Sequence, residues 1–460
     1  MGYIVIGAGA GGLVVAIGLA AAKKKVTLIE KGLFGGDCTN FGCIPSKSLI
    51  SSAHIAHAIK HGEKWGIQPE STKLQAVKAL ERVRNIVTQV RSHEEADNLE
   101  KLGIKICKGS ASFIDPHTLQ VENSGNLSAD KIIIATGSTP KIPSIPGLKD
   151  TPFLTNETIF ELTQVPKSLI CLGGGPIGCE LAQAFSRLGS AVTIIHHSPH
   201  ILSKESPFTQ EILESSLKEE GLDLALNFEP SSISHDGQNF TVTSKDGEVK
   251  SAEQLLVSLG RAPHLNLLQL EKAQIDSTAT GIAIDKYGRT SQKHIYALGD
   301  AVGAPFFTHK AEFHGRIILQ NLLLPWNKRL DRTPIPRATF TDPEIASVGL
   351  SEEEALKIYP AKSLHTYRLP FSEVDRAVCA GRTDGGIEIV TKKWTSKILG
   401  CTIVGERAGE MLAQISLAME ANIPLRKLSN LIHPYPTYSR AIRKTADKWL
   451  KEVLLGLLKK

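Results

Sequence analysis

Two copies of one glycine-rich pattern constrain the fold of this 460-residue chain more than any other feature. In the first copy, the apolar strand Tyr3–Ile6 precedes a Gly-x-Gly-x-x-Gly turn that begins at Gly7, and a small-residue helix and the strand Lys25–Glu30 follow. Such glycines permit a tight turn and let a pyrophosphate approach the helix N-terminus, and Glu30 is placed to accept ribose hydroxyls. The pattern predicts a parallel α/β unit with a dinucleotide site.

The second copy preserves this spacing but changes the ribose-contacting residue. The strand Ser168–Leu172, a glycine turn from Gly173 and the strand Ala191–His196 follow in the same order. Gly173, Gly178 and His196 lie 166 residues after Gly7, Gly12 and Glu30, so His196 takes the place of the acid. A carboxylate at that point repels a 2′-phosphate, whereas His196 flanked by His197 does not. The sequence therefore predicts a second dinucleotide site that favours NADPH, with NADH as the alternative.

Two cysteines five positions apart, Cys38 and Cys43, follow the first unit. Pro45 suits the first turn of a helix, and a helix N-terminus favours a thiolate, so one of these thiols is expected to have a lowered pKa. The pair is open to interpretation as free loop cysteines, half of a metal site or a disulfide. A metal site needs further Cys or His ligands at short spacing, and none follows. Beside a dinucleotide site, the pair is typical of a redox device.

Charge and the other cysteines narrow the class of protein. The net charge of +6 is spread along the chain, which gives little support for nucleic-acid binding. Seven cysteines without a disulfide framework indicate a reducing compartment, and the cytoplasm is the expected location. The uncharged run 3–22 contains five glycines and is predicted to be a strand, turn and helix rather than a membrane span. The cysteines predicted to be buried small hydrophobes are Cys107, Cys171, Cys179, Cys379 and Cys401.

The rest of the sequence pattern divides the chain into four predicted segments. A proline-rich crossing and the strand predicted at Ile295–Asp300, which returns to the first unit, divide the chain into residues 1–142, 143–262, 263–332 and an α+β domain at 333–460. The helical region Ser48–Leu102 places His54, His57 and His61 on one face, as a metal cluster or, by preference, a half-solvated surface. An amphipathic C-terminal helix is expected to make a core or subunit contact; attachment to a larger complex is an alternative and membrane docking is less favoured. The apolar residues of that helix are Trp449, Leu450, Val453, Leu454, Leu457 and Leu458.

The whole pattern resembles the class I flavin-dependent pyridine nucleotide–disulfide oxidoreductases, which include dihydrolipoamide dehydrogenase, glutathione reductase and mercuric reductase. The resemblance runs from Gly7 to the segment Pro434–Thr437, and the stretch Gly35–Lys47 is its most specific part. It implies an α/β fold with two Rossmann-like domains, for FAD and NAD(P), plus a C-terminal α+β dimerisation domain. A homodimer whose subunits complete each other's active sites is expected.

The resemblance also implies a set of site residues. Lys47 and Glu180 match the Lys–Glu pair beside the flavin ring, where a cation stabilises negative charge on the reduced ring. The predicted FAD residues are Gly7, Gly9, Gly12, Glu30, Lys31, Gly36, Lys47, Ala111, Thr136, Gly137, Ser138, Asp300, Thr308 and His309. The predicted NAD(P)H residues are Gly173, Gly175, Ile177, Gly178, His196, His197, Gly260 and Arg261. In the implied mechanism a hydride passes from NAD(P)H to the flavin, Cys43 is the flavin-facing thiolate and Cys38 attacks the substrate.

The chain departs from the disulfide-reducing members near its C-terminus. Tyr435 stands where those members have a catalytic histidine, Arg440 replaces the glutamate that orients it, and His433 is two residues early. Imidazole has a reference pKa of about 6.5 and phenol one of about 10, so a tyrosine is a poor base. Tyrosine is what mercuric reductases carry, although their vicinal C-terminal cysteine pair is absent from residues 456–460. The expected acceptor is a metal ion, a quinone or a disulfide; the alternative is a dihydrolipoamide dehydrogenase that uses NAD and His433 as its base.

Overall fold

A computed structural model describes residues 2–68, 74–331 and 334–458 of the chain. The N-terminal strands are β1 (Gly2–Ile6), β2 (Lys25–Glu30), β3 (Lys105–Lys108), β4 (Ala111–Asp115), β5 (Thr118–Val121), β6 (Gly125–Ser128), β7 (Lys131–Ile134) and β8 (Ser138–Pro140). The N-terminal helices are α1 (Ala10–Ala21), α2 (Gly36–Asn40), α3 (Cys43–Lys60), α4 (Ala76–Arg91) and α5 (Ala96–Lys101). The predicted helical region is thus divided into separate helices.

The central part of the chain continues the alternation of strands and helices. Its strands are β9 (Ser168–Leu172), β10 (Ala191–Ile195), β11 (Asp223–Ala225), β12 (Pro230–His235), β13 (Phe240–Ser244), β14 (Val249–Ala252), β15 (Gln254–Val257), β16 (Arg261–Pro263), β17 (Ser277–Thr278), β18 (Gly281–Ile282) and β19 (Ile295–Ala297). Its helices are α6 (Pro176–Arg187), α7 (Pro207–Glu219) and α8 (Thr308–Leu323).

Two parallel sheets carry the repeated units. The first has the order β19-β7-β1-β2-β3 and the second the order β11-β10-β9-β15. Their central strands are runs of Ile, Val and Leu because helices and loops cover both faces of a parallel sheet. The second unit starts 166 residues after the first at each element, since β1, α1 and β2 correspond to β9, α6 and β10. The pairing of β19 with β7 returns the chain to the first sheet.

Packing between the two units brings the cysteine region close to the second glycine turn. Helix α3 starts at Cys43 and packs along α6, which follows the second glycine turn. Their shared core contains Leu49 and Ala53 from α3 with Leu181 and Phe185 from α6. His57, one turn after Ala53 on α3, lies with its Nδ1 3.8 Å from Glu220 Oε2. Burial lowers the pKa of His57 to about 4, so this imidazole is neutral at physiological pH.

The C-terminal part is an antiparallel sheet covered by helices, in the order β20-β21-β24-β23-β22. The strands are β20 (Arg337–Thr339), β21 (Ile345–Gly349), β22 (Leu364–Pro370), β23 (Gly386–Lys392) and β24 (Ile398–Val404). The helices are α9 (Glu352–Ile358), α10 (Asp375–Cys379), α11 (Ala408–Glu420), α12 (Leu425–Leu428) and α13 (Arg440–Leu458). The amphipathic helix α13 buries Ala446 and Trp449 in this core, as expected of a core contact, while Leu450 is exposed.

Strand β7 ends at Ile134, because Gly137 has a positive φ and turns the chain, and Ser138 starts the separate strand β8. Two local expectations are wrong. The strand expected through Asp300 ends at Ala297, and Asp300 lies in a 3-10 turn. Cys379 is exposed, not buried, since it ends the short helix α10 at the surface. The side chains of Val453, Leu454, Leu457 and Leu458 lie outside the described residues, and the domain boundaries stay predictions.

No helix in the described ranges combines the length and apolar composition that crossing a bilayer requires.

Candidate active site

A cavity of about 500 Å³ brings together most of the residues predicted from the sequence. It lies where the first glycine turn, the N-terminus of α3, the N-terminus of α6 and the loop before α8 meet. The predicted residues that line it are Gly7, Gly9, Glu30, Gly36, Cys38, Cys43, Lys47, Thr136, Gly137, Ser138, Ile177, Glu180, Arg261, Asp300, Thr308 and His309. A smaller adjoining cavity of about 60 Å³ is lined by Glu30, Lys31, Ala111 and Thr136.

The two cysteines face this cavity as a hydrogen-bonded dithiol. Cys38 lies in the short helix α2 and Cys43 is the first residue of α3, and both are free thiols. The hydrogen bond from Cys38 lowers the pKa of the Cys43 thiol, and the positive charge of Lys47 adds to this effect. The same hydrogen bond raises the pKa of Cys38. Cys43 is therefore the sulfur that ionises first, and its Sγ lies 3.6 Å from Thr308 Oγ1 at the start of α8.

An ion pair stands beside the dithiol. Lys47 is four residues after Cys43, hence on the same face of α3. Its Nζ donates a hydrogen bond to Glu180 Oε2 at 2.8 Å, and the buried Glu180 comes from α6 of the second unit. The contact fixes the cation at the cavity wall, where a positive charge stabilises anionic groups.

The cradle around the first glycine turn fits FAD. A Cβ on Gly12 would lie 1.9 Å from the Gly7 carbonyl oxygen, so only glycine permits this approach of helix and turn. Glu30 accepts hydrogen bonds from the amides of Ala8 and Gly32, each at 2.7 Å. The buried Thr136 hydroxyl has no hydrogen-bond partner in the described chain, which leaves it available to a ligand. These residues suit the ribose, pyrophosphate and hydroxyls of a dinucleotide.

Arg261, predicted for the second site, lines the large cavity and bonds to side chains of the first unit. Its Nε donates to Ser138 Oγ at 2.8 Å, and its NH2 group lies 3.0 Å from Asp37 Oδ1. Ser138 in turn donates to Asp300 Oδ2 at 2.6 Å. Burial raises the pKa of Asp300, and the charge of Arg261 opposes that rise. Arg261 thus compensates two carboxylates at the cavity wall.

We expect Arg261→Met to weaken FAD binding by at least ~10-fold, because removing one partner of a partly buried ionic network leaves the other charges unpaired. The dissociation constant is measured by titrating the apoprotein with FAD and following flavin fluorescence. Arg261→Lys keeps the charge and is the matched control, with an intermediate loss expected. An unchanged constant in Arg261→Met would contradict the assigned role.

The second glycine turn repeats the hydrogen bond of the first with a different acceptor. The Gly174 amide donates to His196 Nδ1 at 3.2 Å, as the Ala8 amide donates to Glu30. Because Nδ1 accepts, the proton of the neutral ring lies on Nε2, which is buried and unpartnered in the described chain. Burial lowers the pKa of His196, so the ring carries no charge at neutral pH. The other second-site residues, Gly173, Gly175, Gly178, His197 and Gly260, do not line the large cavity.

The two C-terminal candidates lie outside the cavity of their own chain. Tyr435 is 68% exposed, and the Arg440 guanidinium carbon lies 4.6 Å from its ring centroid. His433 is half-buried, with its Nε2 3.2 Å from the side-chain amide of Gln414 and its Nδ1 3.2 Å from the Leu431 carbonyl oxygen. Neither side chain contacts the dithiol within one chain.

Asp37 and Phe340 are among the cavity residues that sequence reasoning missed. Asp37 precedes Cys38 in the cysteine motif, and its acidic side chain was a usable signal. Phe340 lines the cavity from just after β20, and its ring contacts Lys47. Nothing in the local pattern around Phe340 indicated this, since the contact joins residues far apart in the chain.

The site combines a cysteine pair, a Lys–Glu ion pair and a glycine turn that fits FAD. These features define a dinucleotide-dependent oxidoreductase with an active-site thiol pair. Comparison with protein families agrees: residues 1–315 match the model "Pyridine nucleotide-disulphide oxidoreductase", and residues 335–446 match the dimerisation domain of the same family. The chain belongs to the pyridine nucleotide-disulphide oxidoreductase family, which is FAD-dependent and uses pyridine nucleotides. The predicted family, fold class and general activity are confirmed.

Named relatives fall into two groups of this family. A mercuric reductase of Lysinibacillus sphaericus is 34% identical over 98% of this chain and 83% of its own length. A dihydrolipoyl dehydrogenase of Geobacillus stearothermophilus is 35% identical over 96% of this chain and 95% of its own. Among solved structures, the HOCl-induced flavoprotein disulfide reductase RclA from Escherichia coli aligns with a TM-score of 0.88 and 29% identity, covering 97% of this chain and 99% of that one.

Proposed function

We propose that this enzyme passes electrons from NAD(P)H to an acceptor that needs no proton shuttle, with a soft metal ion as the first candidate and a quinone or other oxidant as the next. The observation that carries the proposal is a cysteine pair that lines the cavity in a chain with Tyr435 at the position where the disulfide-reducing members have a histidine base. Thiolates are preferred ligands of soft cations, and a metal ion bound by two thiolates requires no proton transfer to react. Cys43, whose pKa is lowered, supplies one thiolate, and Cys38 supplies the sulfur that meets the acceptor.

FAD held in the first site would supply the hydride chemistry, taking a hydride from NAD(P)H and delivering its electron pair to the Cys38–Cys43 disulfide, whose S–S bond breaks to give the two thiols. The chain's own residues hold the two nucleotides and orient them. The first glycine turn and Glu30 are proposed to hold the nucleotide end, with Asp300 on a ribityl hydroxyl, and Lys47 to place a positive charge beside the ring. The second glycine turn, with His196, is proposed to hold the pyridine nucleotide.

A homodimer is part of the proposal. The chain matches a dimerisation domain, and Tyr435 lies outside its own cavity with most of its side chain exposed. We infer that each cavity is completed by Tyr435 of the partner subunit. The seven cysteines of the sequence show no structural disulfide framework, which favours a reducing compartment, so the cytoplasm is the proposed location.

Relatives support a metal acceptor. The mercuric reductases carry that activity in their name, and RclA is described in a Cu(II) complex that aligns with a TM-score of 0.86 and 30% identity. The test is NADPH consumption by the holoenzyme with Hg(II), Cu(II), a benzoquinone and lipoamide in parallel. We expect turnover with a metal ion or a quinone to exceed that with lipoamide by at least ~10²-fold, the usual contribution of a positioned base. Ordinary rates with lipoamide alone would overturn the proposal.

A dihydrolipoamide dehydrogenase activity is the second candidate, because a dihydrolipoyl dehydrogenase is 35% identical to this chain and His433 offers an imidazole close to the position expected for the base. In that case His433→Ala lowers lipoamide turnover by at least ~10²-fold. Unchanged lipoamide turnover in His433→Ala excludes this base.

The proposed nucleotide is NADPH, since the Nε2–H of neutral His196 donates to a phosphate oxygen and carries no repelling charge. We expect His196→Glu to shift kcat/KM in favour of NADH by at least ~10-fold, equivalent to about 1.4 kcal/mol. The new carboxylate would accept the Gly174 amide, as Glu30 does with Ala8, and repel a 2′-phosphate. His196→Gln is the neutral control and should keep the original preference. An unchanged NADPH/NADH ratio in His196→Glu would contradict this assignment.

A further inference from the structure

An aromatic ring covers the ammonium group beside the dithiol. Lys47 Nζ lies 4.5 Å from the centroid of the Phe340 ring while it donates to Glu180 Oε2 at 2.8 Å. The Phe340 amide donates to the other carboxylate oxygen, Glu180 Oε1, at 2.9 Å. Glu180 is therefore shared between the cation and the backbone of the residue whose ring lies over that cation.

One face of α6 fixes the backbone that carries this ring. Glu180, Gln183 and Arg187 follow each other at spacings of three and four and so project from the same side of the helix. Glu180 binds the amide of Phe340, and Gln183 Oε1 accepts the amide of Asp342 at 2.8 Å. Arg187 NH2 donates to Asp342 Oδ2 at 2.9 Å. The segment from Phe340 to Asp342 is thus held along the helix by three consecutive contacts.

We propose that Phe340 is a positioning residue for the reaction: its ring, held in place by the α6 face, confines the Lys47 ammonium beside Glu180 and the Cys43 sulfur. The inference rests on the proposed function, because Lys47 has this task only where the sulfur pair is redox-active. In this role Phe340 acts through Lys47: it neither contacts the acceptor nor transfers a proton.

Lys47 needs the ring because its side chain is only partly enclosed by the protein, with 34% of it exposed. A cation over an aromatic face is attracted by the ring quadrupole, and the attraction grows where water is excluded. Without the ring, water reaches the ammonium from the cavity side and the side chain gains rotamers. Its effect on the Cys43 sulfur, four residues earlier on α3, then weakens.

The test follows the Cys43 thiolate in the reduced holoenzyme. The readout is the pH midpoint of the long-wavelength thiolate–flavin absorbance after reduction with NADPH. We expect Phe340→Leu to raise this midpoint by about 0.5 pH units or more, the shift that corresponds to a cation–ring contact of ordinary strength. Replacing the Phe340 side chain by its 3,4,5-trifluoro analogue preserves shape but weakens the quadrupole, and should raise the midpoint in the same direction. Phe340→Tyr keeps the ring and should restore the original midpoint.

Two results would overturn the inference. One is a midpoint in the trifluoro analogue equal to that of the unmodified enzyme, since the nearly unchanged shape leaves folding intact. The other is an equal shift in Phe340→Leu and Phe340→Tyr. If the unmodified enzyme lacks the absorbance altogether, the proposed function fails and takes this inference with it. If the absorbance is present and insensitive to the ring, only this inference fails.

Discussion

Replacing Tyr435 with histidine and Arg440 with glutamate should raise dihydrolipoamide oxidation by ~10²-fold or more, because a positioned base contributes that much to such a proton transfer. The two side chains are already in contact, with the Arg440 guanidinium carbon 4.6 Å from the Tyr435 ring centroid. A glutamate at position 440 is therefore placed to orient an imidazole at position 435. The measurement is formation of reduced nucleotide from dihydrolipoamide by the purified dimer, with NADP⁺ and NAD⁺ supplied in parallel assays.

Single substitutions separate the two roles. Tyr435→His alone should give a smaller gain, because the imidazole then lacks an orienting carboxylate. Tyr435→Phe is the control for the phenol and should leave dihydrolipoamide oxidation low. Arg440 also lies 3.7 Å from Asp375, so the melting temperature of each variant is recorded to separate loss of that ion pair from the chemistry. A well-folded double variant with no gain would contradict the assignment of position 435 to the base.

Replacing Cys38 with serine should lower acceptor turnover by at least ~10³-fold, since removing a nucleophile commonly costs that much or more. Serine cannot form the sulfur bond on which electron delivery to the acceptor depends. Its hydroxyl still donates a hydrogen bond to Cys43, so the Cys43 thiolate is retained. Turnover is measured with the best acceptor from the panel, and residual turnover close to that of the unmodified enzyme would contradict the role of Cys38.

Comparing Cys38→Ala with Cys38→Ser shows in which direction the titration of Cys43 moves when the hydrogen bond from residue 38 is lost. The hydrogen bond from Cys38 is the largest cause that lowers the pKa of Cys43 below its ordinary value of 9.0. Cys43 therefore stays ionised at pH values where a free thiol is protonated, and it loses that charge only as the pH falls through the lowered pKa. Alanine removes the donor, so the titration of Cys43 should move to higher pH in Cys38→Ala than in Cys38→Ser. Alkylation rates measured across pH report the midpoint.

The elements that the sequence predicts well are those with local signals. The glycine turns, their flanking strands and the offset of the repeat follow from residues close together in the chain, and β1, α1 and β2 recur as β9, α6 and β10. The ends of strands are less local: β7 stops at Ile134 because Gly137 turns the chain. The strand β22 was missed, because no flanking signal set it apart from a loop.

The site residues likewise fall into those with a local sequence signal and those without one. Cys38, Cys43 and Lys47 belong to one motif, and the structure brings them together with Glu180, 133 residues away from Lys47. The contacts of Arg261 could not be foreseen, because its neighbours in sequence close the second sheet, whereas β16 pairs with β8 and carries the side chain to Asp37. Phe340 had no local signal at all. Cavity walls built from separate elements are set by tertiary packing, which spacing along the chain does not record.

The most direct test of the central claim is the absorbance spectrum of the purified enzyme before and after a limiting amount of NADPH. The account predicts a yellow protein that gains a broad long-wavelength band, the absorbance that an ionised Cys43 sulfur would give with FAD held in this cavity. A colourless polypeptide able to bind no flavin, or a yellow one whose spectrum shows bleaching without that band, would contradict it.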